Sequence, residues 1–250
     1  MINTDLPIYS LIILIAFLIN IGVICYISYK KNRFNYDLIY LLIFEHIGMI
    51  VGAKLYSFFS NPAKYDYQFD IFKIGFSSVG AVIGIIIMSI IYIKLFKSSI
   101  KMIIETFICS IPLIYSIGKI ACFLTGCCYG IEYSGPFSIT YLYSQNNING
   151  ISLFPVQLLE SIVFFIIFII SFNIVIKDKV NNKSIGILTI MIFVCKFLLD
   201  FLRFTHMKNL ISFNQIMCIP FILIGLSLIT FKKECILVNE LNPKSWTVYK

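Results

Sequence analysis

Long apolar runs alternate with short polar stretches along almost the whole chain. The runs are rich in isoleucine, and about seven of them are long enough to cross a hydrocarbon core of about 30 Å. They cover roughly 7–28, 38–59, 76–96, 103–124, 153–176, 185–204 and 214–231. In lipid each backbone polar group must find its partner within the chain, so continuous apolar runs of this length are helices. The pattern predicts an all-α integral membrane protein with about seven transmembrane helices. It reads as a single polytopic domain over residues 1–250, with structured outer loops near 60–75 and 125–152.

The charges between the runs assign the ends. Lys30, Lys31 and Arg33 follow span one, and Lys94, Lys97 and Lys101 lie between spans three and four. Lys177, Lys179 and Lys183 lie between five and six, and Lys232 and Lys233 follow seven. The opposite ends carry little beyond Lys64, Lys73 and Lys208. By the positive-inside rule the N-terminus is outside and the C-terminus cytoplasmic. The first span, with Asp5 before it and a basic cluster after it, reads as a retained anchor rather than a cleaved signal peptide. The tail from about 232 reads as a solvated end.

Composition narrows the class. Hydrophobic residues make up 59% of the chain and charged residues only 13%, against roughly 25% charged in soluble domains. The net charge of +8 is largely the positive-inside signal, and no basic groove or reading motif points to nucleic acid. The eight cysteines do not form a disulfide scaffold. Cys25, Cys109, Cys195 and Cys218 stand in apolar context as packing residues. Cys122, Cys127 and Cys128 cluster near one membrane face, but no CxxC pair exists and His46 and His206 are far apart, so the spacing argues against zinc.

Ionisable groups inside apolar spans cost roughly 2.5–3.5 kcal/mol each if unpaired at mid-membrane, so they should converge. Glu45, His46 and Lys54 lie in span two, Lys119 in four, Glu160 in five, and Lys196, Asp200 and Arg203 in six. Lys196, Asp200 and Arg203 share one helix face by their spacing. Two readings stand: an ion pair that holds span six to its neighbours, or, with Lys119, a cationic cradle for a phosphate head group oriented by Asp200. Gln157 and Glu160 share a face just after Pro155; Glu160 either balances a cation or accepts a proton. Lys54 either snorkels to the interface or joins the head-group pocket. Gly75, Gly80 and Gly84 suggest close packing of span three.

The stretch from Gly118 to Gly130 holds Lys119, three thiols, Gly126 and Tyr129 at the exit of span four. A lipid-facing helix has no use for that set, and glycines let backbone approach a ligand closely. Gly126, Cys127, Tyr129 and Gly130 therefore join Lys196, Lys54 and Gln157 as candidate substrate-binding residues, beside Glu160, Lys119, Arg203 and Asp200 as candidate catalytic ones.

These residues, in this order, resemble the prolipoprotein diacylglyceryl transferase family. Leu6-Pro7-Ile8-Tyr9-Ser10 looks like its opening, and Gly52-Ala53-Lys54-Leu55-Tyr56 resembles its G-A-R-L-Y element. Gly75 to Gly84 corresponds to its glycine-rich third-span motif, with Val79 where the family carries a histidine. Gly118 to Gly130 corresponds to its signature, in which Lys119 replaces an arginine, Cys122 and Thr125 two asparagines, and Cys127 a glutamate. Pro155 to Glu160 matches P-x-Q-L-x-E, Lys196 to Arg203 resembles R-F-x-x-E-x-x-R, and Ser212 to Ile216 looks like S-x-x-Q-x.

The resemblance implies alkylation of a thiol. The lipobox cysteine of a prolipoprotein signal peptide attacks a glyceryl carbon of phosphatidylglycerol at the outer face of the bacterial cytoplasmic membrane. Glycerol phosphate leaves, and the reaction needs no metal or soluble cofactor. Two alternatives stand beside it: a related membrane lipid transferase with another acceptor or a step on Cys127 or Cys128, and a non-catalytic lipid-binding homologue.

Overall fold

The computed structural model describes residues 8–60, 62, 66–70, 74–96, 100–141, 148–204 and 210–230. Asp5, Leu6, Pro7, Lys64, Lys73, Lys97, His206, Lys208 and the tail from 232 lie outside the described residues. Among the described residues seven helices carry the fold: α1 Ile8–Lys30, α2 Tyr36–Ser60, α3 Ser78–Phe96, α4 Ile100–Thr125, α5 Val156–Ile176, α6 Asn182–Asp200 and α7 Phe213–Thr230. Each is long and apolar enough to cross a membrane. Large apolar side chains such as Leu14, Leu18, Ile162 and Leu223 stay exposed along them, which suits a lipid solvent rather than water.

The helix ends follow local chemistry. Asn181 caps α6 with a capping box, its side chain accepting from the Ser184 N–H while the Ser184 hydroxyl accepts from the Asn181 N–H. Pro155 stands at the entry of α5, where a missing N–H costs nothing. Span six ends earlier than its apolar run: α6 stops at Asp200, so Arg203 is not on the helix with Lys196 and Asp200, as spacing had it. The backbone leaves the helix there because it pairs with Gly130 in an antiparallel bridge.

The described residues divide into two compact units, 8–24 with 108–230, and 25–107. In the second unit α2 and α3 meet through glycines. A Cβ on Gly52 would lie 2.4 Å from the Gly80 carbonyl oxygen, and one on Gly84 would lie 2.0 Å from that of Gly48. Small residues four apart on both helices let the backbones touch, the usual device for packing in lipid. Leu41, Tyr92, Met102 and Ile103 form an apolar cluster beside this seam, and the Tyr92 hydroxyl donates to the Asp37 carbonyl at 2.8 Å. Glu105, buried, takes Lys31 at 2.8 Å and Arg33 at 3.1 Å, and Glu45 accepts from Thr106 at 3.0 Å.

In the first unit, α6 and α7 meet at Gly186 and Gly225 in the same way. The connection between α4 and α5 holds the described β-structure. Strands β1 Ile139–Thr140 and β2 Ser152–Leu153 pair antiparallel, Ile139 opposite Leu153. The segment 129–133 runs between two neighbours. Tyr133 N donates to Ser152 O and Phe154 N to Ile131 O on one side, while Ile131 N donates to Leu202 O and Phe204 N to Tyr129 O on the other. Only glycine fits at 130, where a Cβ would meet the Phe154 carbonyl oxygen at 2.3 Å. This platform fixes Arg203 over the ends of α4 and α5.

Candidate functional site

Four helix ends of the first unit converge: the last turns of α4 and α6 and the first turns of α5 and α7. Glu160, 1% exposed, is the centre. Lys119 Nζ lies 2.7 Å from Oε2, and Arg203 donates through Nη2 to both oxygens at 2.9 and 3.1 Å. The Tyr115 hydroxyl donates to Oε1 at 2.9 Å and in turn accepts from Lys196 Nζ at 3.1 Å. Both ammonium groups also lie over the Tyr115 ring, Lys196 at 4.5 Å and Lys119 at 5.0 Å from its centroid. Phe164 backs that ring at 4.2 Å. A buried cation is tolerable only when paired and hydrogen-bonded, and the aromatic face adds attraction where water is absent.

Asp200 closes the other side. Its Oδ1 stands 3.6 Å from Arg203 Nη1, and its Oδ2 accepts from the Ser212 hydroxyl. Gln215 braces this corner, donating to Phe197 O at 3.1 Å and accepting from Ser212 N at 2.9 Å. Burial works against the Arg203 charge, but Glu160, Tyr115 and Asp200 outweigh it and hold the guanidinium well above its ordinary pKa. Among the buried atoms with no hydrogen-bond partner in the described residues are Arg203 Nε and Gln157 Oε1. Buried polar atoms are rarely left so, and both lie on residues of this corner.

Gln157 Nε2 donates to Cys127 O at 2.9 Å, which ties the start of α5 to the turn after α4. That turn carries Gly126 with φ 67 and Cys128 with φ 54, and the sulfurs of Cys122, Cys127 and Cys128 lie within 4.8 Å of one another. Hydrogen bonds from Cys122 and Cys127 hold the Cys128 thiol well below its ordinary pKa against the cost of burial, with Lys119 and Arg203 adding to the effect. Cys128 keeps accessible surface although protein surrounds it on most sides.

Of the residues singled out by sequence, the structure brings together Lys119, Gln157, Glu160, Lys196, Asp200 and Arg203, with Gly126, Cys127, Tyr129 and Gly130 in the adjoining turn and platform. Lys54 belongs to the other unit, where its Nζ donates to Ile74 O at 2.9 Å and sits 4.7 Å from the Phe76 ring centroid. Tyr115 was missed. It precedes Lys119 by one helical turn, on the same face, and that spacing was the available signal.

The fold and this cluster define a class: a multi-pass membrane protein that keeps an ion-paired polar site buried at one end of its helices. The chain matches the family model for prolipoprotein diacylglyceryl transferase over residues 1–231 and belongs to that family. It is similar to proteins named phosphatidylglycerol–prolipoprotein diacylglyceryl transferase. The one from Clostridium tetani (strain Massachusetts / E88) is 28% identical over 203 residues, covering 79% of this chain and 82% of the relative. That of Clostridium perfringens (strain 13 / Type A), transferase 2, is 27% identical over 225 residues, covering 84% and 86%. That of Chloroherpeton thalassium (strain ATCC 35110 / GB-78) is 25% identical over 236 residues, covering 88% and 86%.

Proposed function

We propose that this chain transfers a diacylglyceryl group from phosphatidylglycerol to the lipobox cysteine thiol of a prolipoprotein signal peptide, at the outer face of the bacterial cytoplasmic membrane. In this reading the chain is one membrane domain with its N-terminus outside and its C-terminus cytoplasmic. The observation that carries the reading is Glu160 held between Lys119 and Arg203 inside a helix bundle. A carboxylate that clamps two cations in lipid keeps them charged and aimed until a phosphate replaces it.

The roles follow from that exchange. Phosphatidylglycerol phosphate takes over Lys119 and Arg203, with Lys196 behind Tyr115, and Arg203 Nε supplies a further donor. Asp200 orients the guanidinium. These groups stabilise the charge that builds on the leaving glycerol phosphate. Glu160, released from its partners, becomes free to accept the thiol proton. Gln157, Gly126, Tyr129 and Gly130 shape the turn on which the acceptor rests.

The test is transfer of labelled diacylglyceryl from phosphatidylglycerol to a lipobox peptide by purified protein, with a cysteine-to-serine peptide as control. Cysteine-dependent transfer with release of glycerol phosphate is expected. Arg203→Ala and Lys119→Ala should each lower the rate on the order of 100-fold or more, the scale for removing one donor to developing negative charge. Full activity in both variants overturns the cradle. Lipid binding without transfer in folded wild-type protein points to the non-catalytic homologue.

A further inference from the structure

We propose that Cys122, Cys127 and Cys128 bind one thiophilic metal ion, with Zn(II) as the type, and leave one ligand position open for the acceptor thiol. The second half rests on the transferase reading above; the metal site does not.

The site is built by the way α4 ends. Cys127 N donates to Cys122 O at 3.0 Å and Gly126 N to Phe123 O at 3.3 Å, with Gly126 at φ 67. These are the six-to-one and five-to-two bonds of a Schellman closure, which ordinarily sets two apolar side chains against each other. Here the two facing side chains are the thiols of Cys122 and Cys127. The next residue, Cys128, is held at φ 54, a left-handed conformation that a residue with a Cβ adopts at a cost. That turn brings the third sulfur back to the other two.

The result is a triangle of sulfurs within 4.8 Å. With metal–sulfur bonds of about 2.3 Å, tetrahedral or trigonal coordination needs sulfurs roughly 3.8–4.0 Å apart, so shifts below about 1 Å complete it. A disulfide would use two thiols and strand the third, and the vicinal pair could close only with strain.

The surroundings fit such an ion. Thr125 Oγ1, which donates to Ala121 O at 2.9 Å, lies 3.5 Å from Cys127 Sγ, and Gln157 fixes the Cys127 carbonyl, the kind of outer support that orients metal ligands. Three thiolates on a divalent ion leave one negative charge. The neighbouring cluster of Lys119, Lys196, Arg203, Glu160 and Asp200 holds one more basic group than acidic, and Lys119 and Arg203 lie within electrostatic reach of Cys128. Cys122 is buried and Cys128 exposed, so one side of the triangle is open. Structural thiolate sites are closed by a fourth protein ligand, whereas catalytic sites keep a vacancy.

An open soft-metal position suits a thiol substrate. Coordination deprotonates the acceptor thiol outright, and the thiolate is the nucleophile. The sulfur–carbon bond to the glyceryl group then forms as the carbon–oxygen bond to phosphate breaks, and the electron pair leaves on the phosphate oxygen. The thiol proton passes to Glu160, and nothing is oxidised or reduced. This departs from the metal-free chemistry that the family resemblance implies. It was hidden from a spacing argument because Cys-x4-Cys-Cys is not a familiar metal motif until the helix end folds it into one.

The experiment uses the full chain, purified in detergent under reductant and without chelator. Zinc content is measured by mass spectrometry, and Co(II) is then loaded to read thiolate-to-cobalt charge transfer. Roughly one ion per chain is expected. Cys122→Ser, Cys127→Ser and Cys128→Ser should each weaken binding by at least the roughly 10–100-fold that even outer partners of a metal site contribute, while Cys195→Ser should not. A lipobox peptide should change the cobalt spectrum of the wild-type protein, and its cysteine-to-serine version should not. No ion in folded, reduced wild-type protein after reconstitution, or a native Cys122–Cys127 disulfide, overturns the site. Binding with no response to the cysteine peptide overturns the open position. A protein that binds the ion and answers the peptide yet transfers no lipid counts against the transferase reading and leaves the site standing.

Discussion

Tyr115 links the charges of the buried cluster. Its hydroxyl donates a hydrogen bond to Glu160 and accepts one from Lys196, and its ring faces two ammonium groups. Tyr115→Phe keeps the ring and removes both hydrogen bonds. Bonds to charged groups contribute about 1.5–3 kcal/mol each, so the variant should lose stability on that scale, read by thermal unfolding in detergent. Its transfer rate should fall less than that of Arg203→Ala; an equal fall would put the hydroxyl itself in the chemistry. Tyr141 supports a prediction in pH. Burial, with the Cys127 thiol nearby, pushes its phenol up to about 12 from 10.0. The folded state favours the neutral form, so this contribution is whole below pH 10.0 and fades as pH rises to about 12. The gap in melting temperature between wild type and Tyr141→Phe, which also loses the 2.9 Å bond to Phe123 O, should narrow across that window. A constant gap would show that the phenol titrates normally. The charged members of the cluster were legible in the sequence because charge in an apolar run demands explanation. Tyr115 was not, since a tyrosine among 15 in a membrane chain reads as packing until a partner is seen.

Glycine spacing decides how closely α2 and α3 approach. Gly48 and Gly52 face Gly84 and Gly80 across contacts with no room for a methyl group. Gly84→Ala must push the Gly48 carbonyl away and should cost about 1–3 kcal/mol as overpacking. Gly22, on α1, has nothing within 4 Å of an added Cβ, so Gly22→Ala should be neutral or gain roughly 0.5–1 kcal/mol from helix propensity. Melting temperatures of the two variants compare the same substitution with and without a neighbour, and equal shifts would mean that the seam does not limit how closely the helices pack. The seven helices themselves were readable, because lipid leaves the backbone few choices. The small β-platform was not, because it depends on 129–133 pairing with segments about 20 and 70 residues away, a tertiary decision that overrides local pattern. For the same reason spacing kept Arg203 on the helix, where the structure turns it back toward Gly130.

The basic ends of the helices and the polar site depend on one orientation in the membrane. The site gathers the end of α4, the start of α5, the end of α6 and the start of α7, which are the ends opposite the lysine-rich connection 177–183. If positive charge stays in the cytoplasm, the site lies toward the outer face, where an exported signal peptide presents its thiol. A phosphatase reporter that folds only outside the membrane should be active when fused after Phe137, which is 90% exposed, and inactive when fused after Asp178. The reverse pattern would turn the molecule over. It would also carry Lys119, Glu160 and Arg203 to the side where the lipobox of a translocated chain is absent, and the transferase reading would fall with the topology. Lys31 and Arg33, counted among the cytoplasmic positives, are held by Glu105, so the first basic cluster anchors α4 as well as marking a side. Glu105→Gln leaves the positive charges in place and frees them from that partner. It should therefore lower stability while leaving the reporter pattern unchanged, and a change of orientation would mean that the pair, rather than the excess of lysine, sets the topology.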